Sequence, residues 1–283
     1  MRMETYIRGE IGTSGRSGDN IVVPQSPVPL GRVSGAAART KAGKDTVYDR
    51  RIARMEEEMQ PLKTLFSNLK RTGPLVRAYP VDISFKDIDG DMSKYRYGWM
   101  PLRDNQTGEP APKDMTTTAA IFMTRDKSAL IVVAICPESK MNALKANCRA
   151  NDDFSIFDDD VVEVYVNTPQ RSYFKIAVNP NGAIWDESTD VSIVERDTLP
   201  VLWNPGTKAV VKKCEDRWTV EIRIPIKDFG AAFPSEASPW GVQVARTRFT
   251  DEKPAKPERW TLAPTGGPYA TLNRWASLWI EDW

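Results

Sequence analysis

The sequence contains no histidine, and that absence narrows its chemistry more than any residue present. Ser-His-Asp and Cys-His nucleophilic catalysis are excluded, and so is the commonest ligand for zinc and other transition metals. Catalysis would fall to carboxylates, lysine, tyrosine or an oxygen-ligated metal. Cysteine is scarce as well. Cys136, Cys148 and Cys214 are an odd number without CxxC spacing, which argues against a zinc site and a dense disulfide framework. One disulfide is compatible with them, but three buried free thiols are the expected state. Charge of one sign is also missing: 39 basic residues stand against 38 acidic ones, a net charge of +1. Nucleic-acid binding, which needs a concentrated basic face, is therefore not expected. No apolar run approaches the roughly 20 residues of a membrane-spanning helix, and no membrane span is expected. The first nine residues are polar and charged, without the apolar stretch of a signal peptide. An extracellular or periplasmic location is still expected if the chain is the C-terminal part of a larger secreted protein.

What is present falls into three segments. Residues 1–44, rich in Gly, Ser, Pro, Arg and Thr, read as a disordered or extended arm. In residues 45–73, Ile52, Met55, Met59, Leu62, Phe66 and Leu69 recur at alternating spacings of three and four, the stripe of an amphipathic helix. Pro61 interrupts it, so two short helices or one kinked helix are expected, ending at Gly73-Pro74. This is a stalk or a helix packed on its own domain; an oligomerising coiled coil would need more heptads.

Residues 74–283 change period. Ala119 to Met123 and Leu130 to Cys136 flank the polar turn Arg125-Asp126-Lys127-Ser128, a hairpin candidate. Val161 to Val166 and Tyr173 to Val178 form a second. Trp218, Val220, Ile222 and Ile224 alternate with polar residues as in a half-buried strand, and Trp240 to Phe249 alternates too. The expected fold is all-β, an antiparallel, jelly-roll-like β-sandwich behind a disordered and partly helical N-terminal arm. Trp218 is expected to be packing, and Leu272 to Ile280 a last strand or irregular segment covering an edge.

The stretch from Asn151 to Asp186 is the richest chemically. On the strand from Val161, Val162, Val164 and Val166 share the core face, and Glu163 and Tyr165 point outward. On the returning strand Phe174, Ile176 and Val178 face the core, with Tyr173 and Lys175 outward. A three-residue loop, Thr168 to Gln170, would place Glu163 directly across from Lys175. The outward face then carries a carboxylate, an ammonium group and two tyrosines. These are ingredients of a sugar site and equally of a solvated sheet surface with one ion pair. The acidic run Asp152, Asp153, Asp158, Asp159 and Asp160 has three open readings: a calcium site, a carboxylate pair for glycoside hydrolysis, or a solvated loop. The stretch Asp87 to Asp91 is a second Asp-rich loop with the same calcium reading.

Phe157-Asp158-Asp159-Asp160-Val161-Val162-Glu163-Val164-Tyr165 resembles the aromatic-x-x-Asp-x-Val-Glu signature of the family 9 carbohydrate-binding modules. Three further stretches match in order: YFKIAVNPNGAIWD from Tyr173, RWTVEIRIPIKDFG from Arg217 and WGVQVARTR from Trp240. The resemblance covers roughly residues 80–283. It implies a β-sandwich of the kind appended to xylanases and other glycoside hydrolases, often with structural Ca2+. Its implied function is non-catalytic binding of an oligosaccharide or polysaccharide chain end from plants or algae, with an upstream catalytic domain as possible partner. Its two-ring sugar clamp would fall on Phe157 and Tyr269, its acidic and basic partners on Glu163 and Lys175, with Gln243 and Arg246 as further polar contributors. Calcium would fall on Asp158 and Asp160. Neither clamp position is Trp, a departure from the family. A carboxylate-dependent glycosidase using Asp160 and Glu163, and a degenerate sandwich with a structural or interaction role, are the alternatives. The glycosidase is disfavoured, because residues three apart on a strand point to opposite faces.

Overall fold

The computed structural model describes residues 71–82, 88–169, 171–189, 201–235, 237–250 and 255–280. The expected arm over 1–44, and nearly all of the expected helical stalk over 45–73, lie outside the described residues. Its last three residues, 71–73, are not helical. Arg71 already donates to Asn167 Oδ1 and Thr72 N to Asn273 O.

Fourteen strands are described: β1 (Leu75–Val81), β2 (Met100–Pro101), β3 (Arg103–Asp104), β4 (Thr118–Thr124), β5 (Ala129–Pro137), β6 (Val161–Thr168), β7 (Arg171–Val178), β8 (Ile184–Thr189), β9 (Val201–Leu202), β10 (Lys208–Lys213), β11 (Arg217–Pro225), β12 (Trp240–Phe249), β13 (Pro257–Thr261) and β14 (Ala276–Ile280). Short 3₁₀ turns are the only helical elements among the described residues. One sheet runs β10-β11-β5-β4, the other β14-β12-β6-β7-β8-β9, with β13 on β12 and β3 on β13. β1 belongs to both. Leu75 to Ala78 pair with β14 and Tyr79 to Val81 with β4. Both pairings are parallel, within a sandwich whose other pairings are antiparallel as expected. β14 is likewise not an edge cover, since it lies between β1 and β12.

The inner faces meet in one core. Val162, Val164, Val166, Phe174, Ile176 and Val178 face Ile121, Leu130, Val132, Trp218, Val220 and Ile222 across it, the sets that alternation selects on each strand. Trp218 is fully buried there, as expected. The β4–β5 hairpin forms around Arg125 to Ser128, with Lys127 in the left-handed region at φ 56° and its N–H bonded to Thr124 O at 2.7 Å. The turn from β7 to β8 uses Asn179-Pro180-Asn181-Gly182, and Gly182 supplies the positive φ of 81° that closes it.

β11 departs from the half-buried reading, because its back is covered too. Thr219, Glu221 and Arg223 are buried along with the apolar residues between them. The segment around Tyr95 lies over this face, where Tyr95, Ala120, Phe122, Ile131 and Val133 form a second core. Glu221 anchors it, accepting from Gly90 N (2.8 Å), Asp89 N (3.1 Å), Lys94 Nζ (3.2 Å) and the Tyr95 hydroxyl. None of the three cysteines is in a disulfide; Cys136 and Cys148 are buried, whereas Cys214 is exposed rather than buried.

Candidate functional site

The outer face of the β6-bearing sheet carries the polar and aromatic residues. The β6–β7 register differs from the expected one: Lys175 pairs with Tyr165, and Glu163 with Ala177. The pairing beyond a bulge between Val166 and Thr168 is offset by two residues from the expected one, which keeps every side chain on its face but changes its neighbour. Glu163 and Lys175 are therefore diagonal neighbours, with Nζ 3.4 Å from Oε2. The Tyr165 hydroxyl also donates to Oε2, at 2.7 Å. No described donor reaches Oε1. The Tyr165 phenol is pushed up well above its usual range by burial and then by the Glu163 charge, so it stays a donor.

Glu163, Tyr165 and Thr247 line a cavity of about 730 Å³, with Phe157, Phe249, Tyr269 and Arg259 among its other walls. Two of the expected ligand residues, Glu163 and Lys175, come from β6 and β7. Two more, Phe157 and Tyr269, come from loops. Phe157 sits in the 3₁₀ turn Phe154–Asp158, whose N-cap Asp153 accepts from Ser155 N. Its ring meets Phe154 and Trp185 edge-on, and Lys175 Nζ lies 3.7 Å from its centroid. Tyr269 is fixed by a hydroxyl contact to Thr247 Oγ1 at 3.1 Å, and the Trp275 indole donates to its carbonyl at 2.6 Å. Burial raises the Tyr269 phenol.

Gln243 and Arg246 do not join this cavity. Gln243 clamps the backbone of Ala263, donating to its carbonyl at 2.5 Å and accepting from its N–H at 2.9 Å, beneath the loop after β13. Arg246 is fully buried on the opposite, inner face with Val242 and Val244. It donates to Thr117 Oγ1 and Pro137 O, both at 2.9 Å, and lies 3.5 Å from Glu138.

The aspartates divide in the same way. Asp160 turns inward, accepting from Phe249 N (2.7 Å) and Lys145 N (3.0 Å). Burial raises its carboxyl despite those bonds and the nearby Arg246 charge. Asp159 accepts from Asn147 N, Cys148 N and Asn179 Nδ2. Asp158 is exposed. With one of the pair exposed and the other wrapped by backbone donors beside a guanidinium, Asp158 and Asp160 do not fit one calcium site. No group of three potential metal ligands occurs among the described residues. In the other Asp-rich loop, Asp89 accepts from Asp91 N and Lys94 Nζ and Asp91 caps Ser93 N, so both serve the local turn; Asp87 lies outside the described residues.

Residues not singled out from sequence also matter. Arg259 reaches the cavity from β13, and period two through Pro257, Arg259 and Thr261 would have placed it on that face. Glu187, buried directly across from Lys175, accepts from the Trp185 indole at 2.8 Å.

No family model and no curated protein matches this sequence. Solved structures do. The fold is similar to that of a protein from Bacteroides uniformis ATCC 8492 provisionally described as carbohydrate-binding, at 13% identity and a TM-score of 0.55, over 74% of this chain and 100% of the other. It is also similar to a carbohydrate-binding module of family 9 from Caldicellulosiruptor kristjanssonii in complex with cellotriose, at 15% identity and a TM-score of 0.48, over 72% and 93% of the two chains. The chain has a β-sandwich fold.

Proposed function

We propose that this chain is a non-catalytic carbohydrate-binding module that takes a sugar in the cavity between Phe157 and Tyr269. The observation that carries the reading is the convergence of Phe157, Glu163 and Tyr269 on one cavity, with Lys175 beside Glu163 and against the Phe157 ring. Glu163 Oε1 is the acceptor for a sugar hydroxyl, and Lys175, paired with Oε2, offers its own donors beside it. Ring edges and faces from Phe157 and Tyr269 contact the apolar face of the pyranose. The fold likeness to a protein described as carbohydrate-binding is consistent with this reading. Chain-end recognition, and a role in targeting a linked glycan-degrading enzyme to plant or algal polysaccharide, extend the same proposal, as does an extracellular or periplasmic location.

The glycosidase alternative loses support from geometry. Asp160 is held on the inner side among Lys145 N, Phe249 N and Arg246, whereas Glu163 opens outward, so the two carboxylates do not flank a common bond.

Calorimetric titration with cello- and xylo-oligosaccharides, each with a free or a blocked reducing end, tests the reading. Saturable heat is expected, larger for free than for blocked ends. Phe157→Ala and Tyr269→Ala should each weaken binding by roughly tenfold, the worth of one stacked ring, with the cooperative melting transition retained. A folded sample that gives no heat with any of these sugars would refute the proposal.

A further inference from the structure

We infer that the site selects acidic glycans, with Arg259 as the partner of a uronic-acid carboxylate; this rests on the carbohydrate-binding reading above. Arg259 is exposed on β13 beside Thr247, its register partner, and forms part of the cavity wall. Its guanidinium has no hydrogen-bond or ion-pair partner among the described residues.

The carboxylates around it are committed elsewhere. Glu163 is held by Lys175 and the Tyr165 hydroxyl. Glu258, its chain neighbour, accepts from Arg248 Nη1 at 2.9 Å. Asp104 Oδ1 closes its own turn, accepting from Gln106 N, Thr107 N and Thr107 Oγ1. Among the residues that line the first cavity the charged ones are Glu163, paired with Lys175, and Arg259, while Asp104, bonded only to neutral donors, keeps its charge at the second cavity.

Its position adds direction. Arg259, Gln106 and Pro257 line both the main cavity and a second one of about 490 Å³ that continues past Asp104 and Trp260 over the edge of the sheet. A saccharide leaving the first cavity toward the second must cross Arg259. A neutral sugar offers the guanidinium only hydroxyls there. A carboxylate at C6 offers two coplanar oxygens matched to the guanidinium fork, a bidentate charge-assisted contact that an unpaired arginine is built to make.

The experiment titrates the full chain with length-matched pairs that differ only at C6: oligomers of β-1,4-glucose against β-1,4-glucuronic acid, and of α-1,4-galactose against α-1,4-galacturonic acid, at low and high salt. The acidic member of at least one pair should bind about tenfold more tightly, the size of one charge-assisted hydrogen bond, and that advantage should shrink with salt. Arg259→Gln should remove most of the advantage and weaken the neutral member far less, while Arg259→Lys should restore part of it. Equal affinity within every pair that binds would overturn the inference while leaving carbohydrate binding intact. An advantage that survives Arg259→Gln, or equal weakening of both members, would overturn the role of Arg259. No binding by any member, from folded protein, would overturn the inference and, with no heat from xylo-oligosaccharides either, the carbohydrate reading itself.

Discussion

Each outer face of the sandwich carries a buried carboxylate flanked by a lysine and a tyrosine, yet the two faces end in opposite states. On the β11-bearing sheet Glu221 takes two backbone N–H groups at one oxygen, and at the other Lys94 Nζ and the Tyr95 hydroxyl. Its acceptors are used up and the Tyr95 segment covers it. On the β6-bearing sheet Glu163 takes Lys175 and the Tyr165 hydroxyl at one oxygen alone, and its side chain lines an open cavity. The same three residue types make a structural anchor where a loop supplies the missing donors, and a candidate binding group where none does. A buried polar atom left without a protein partner is costly, so an open acceptor beside a cavity is where a ligand has most to gain. A third carboxylate lies between these extremes. Asp186 is buried on the inner side of β8, and its Oδ1 has no partner.

The largest effect that would sharpen the contrast is expected at Glu221. Glu221→Ala strands the donors of Gly90, Tyr95 and Lys94, and should cost roughly 3 kcal/mol in denaturant unfolding, with sugar affinity unchanged. Loss of binding without loss of stability would break the comparison.

Asp186 comes next. Burial, and then the nearby Asp152 charge, push its carboxyl up to about 7. The folded state therefore binds this proton more tightly than the unfolded chain does, so the group favours folding at acid pH. Its contribution falls as pH rises from about 4 to about 7 and is an uncompensated cost above that. Asp186→Asn should flatten the pH dependence in that window and raise stability at pH 8 by the order of 2 kcal/mol, read from chemical melts across pH. A variant with an unchanged pH profile would contradict this.

The smallest effect on stability is expected at Lys175. Both side chains of its ion pair with Glu163 are largely buried, but Glu163 opens onto the cavity, where water can take the place of the ammonium group, so Lys175→Met should shift stability by only about 1 kcal/mol, while weakening sugar binding several-fold. A large fall in stability instead would make Lys175 a structural anchor like Lys94.

Much of this architecture is legible in the sequence because strand alternation is strict. It places Val162, Val164 and Val166 inside and Glu163 and Tyr165 outside without reference to any neighbour. Pairing is less legible, since a two-residue offset in the hairpin, part of it the bulge at Val166 to Thr168, moves Lys175 from Glu163 to Tyr165 without altering which residues are buried. Arg246 shows the limit of a family resemblance used alone. Its parity with Val242 and Val244 puts it on the inner face, a signal that outranks its match to a polar site position. Gln243 has the outward parity but is taken up by the Ala263 backbone, a long-range contact that no local pattern carries. The cover over β11 is hidden for the same reason. Its residues, Tyr95 and Lys94, lie more than a hundred positions from Glu221 and show no period of their own.

The central claim is that Glu163 is a ligand acceptor while Glu221 is a structural anchor. The most direct test is calorimetric titration of Glu163→Gln and Glu221→Gln with whichever oligosaccharide the unsubstituted protein binds most tightly, alongside their melting temperatures. Glu163→Gln should lose roughly tenfold or more in affinity and melt within a few degrees of the parent, whereas Glu221→Gln should melt lower and bind normally. Unchanged affinity in Glu163→Gln would contradict the account.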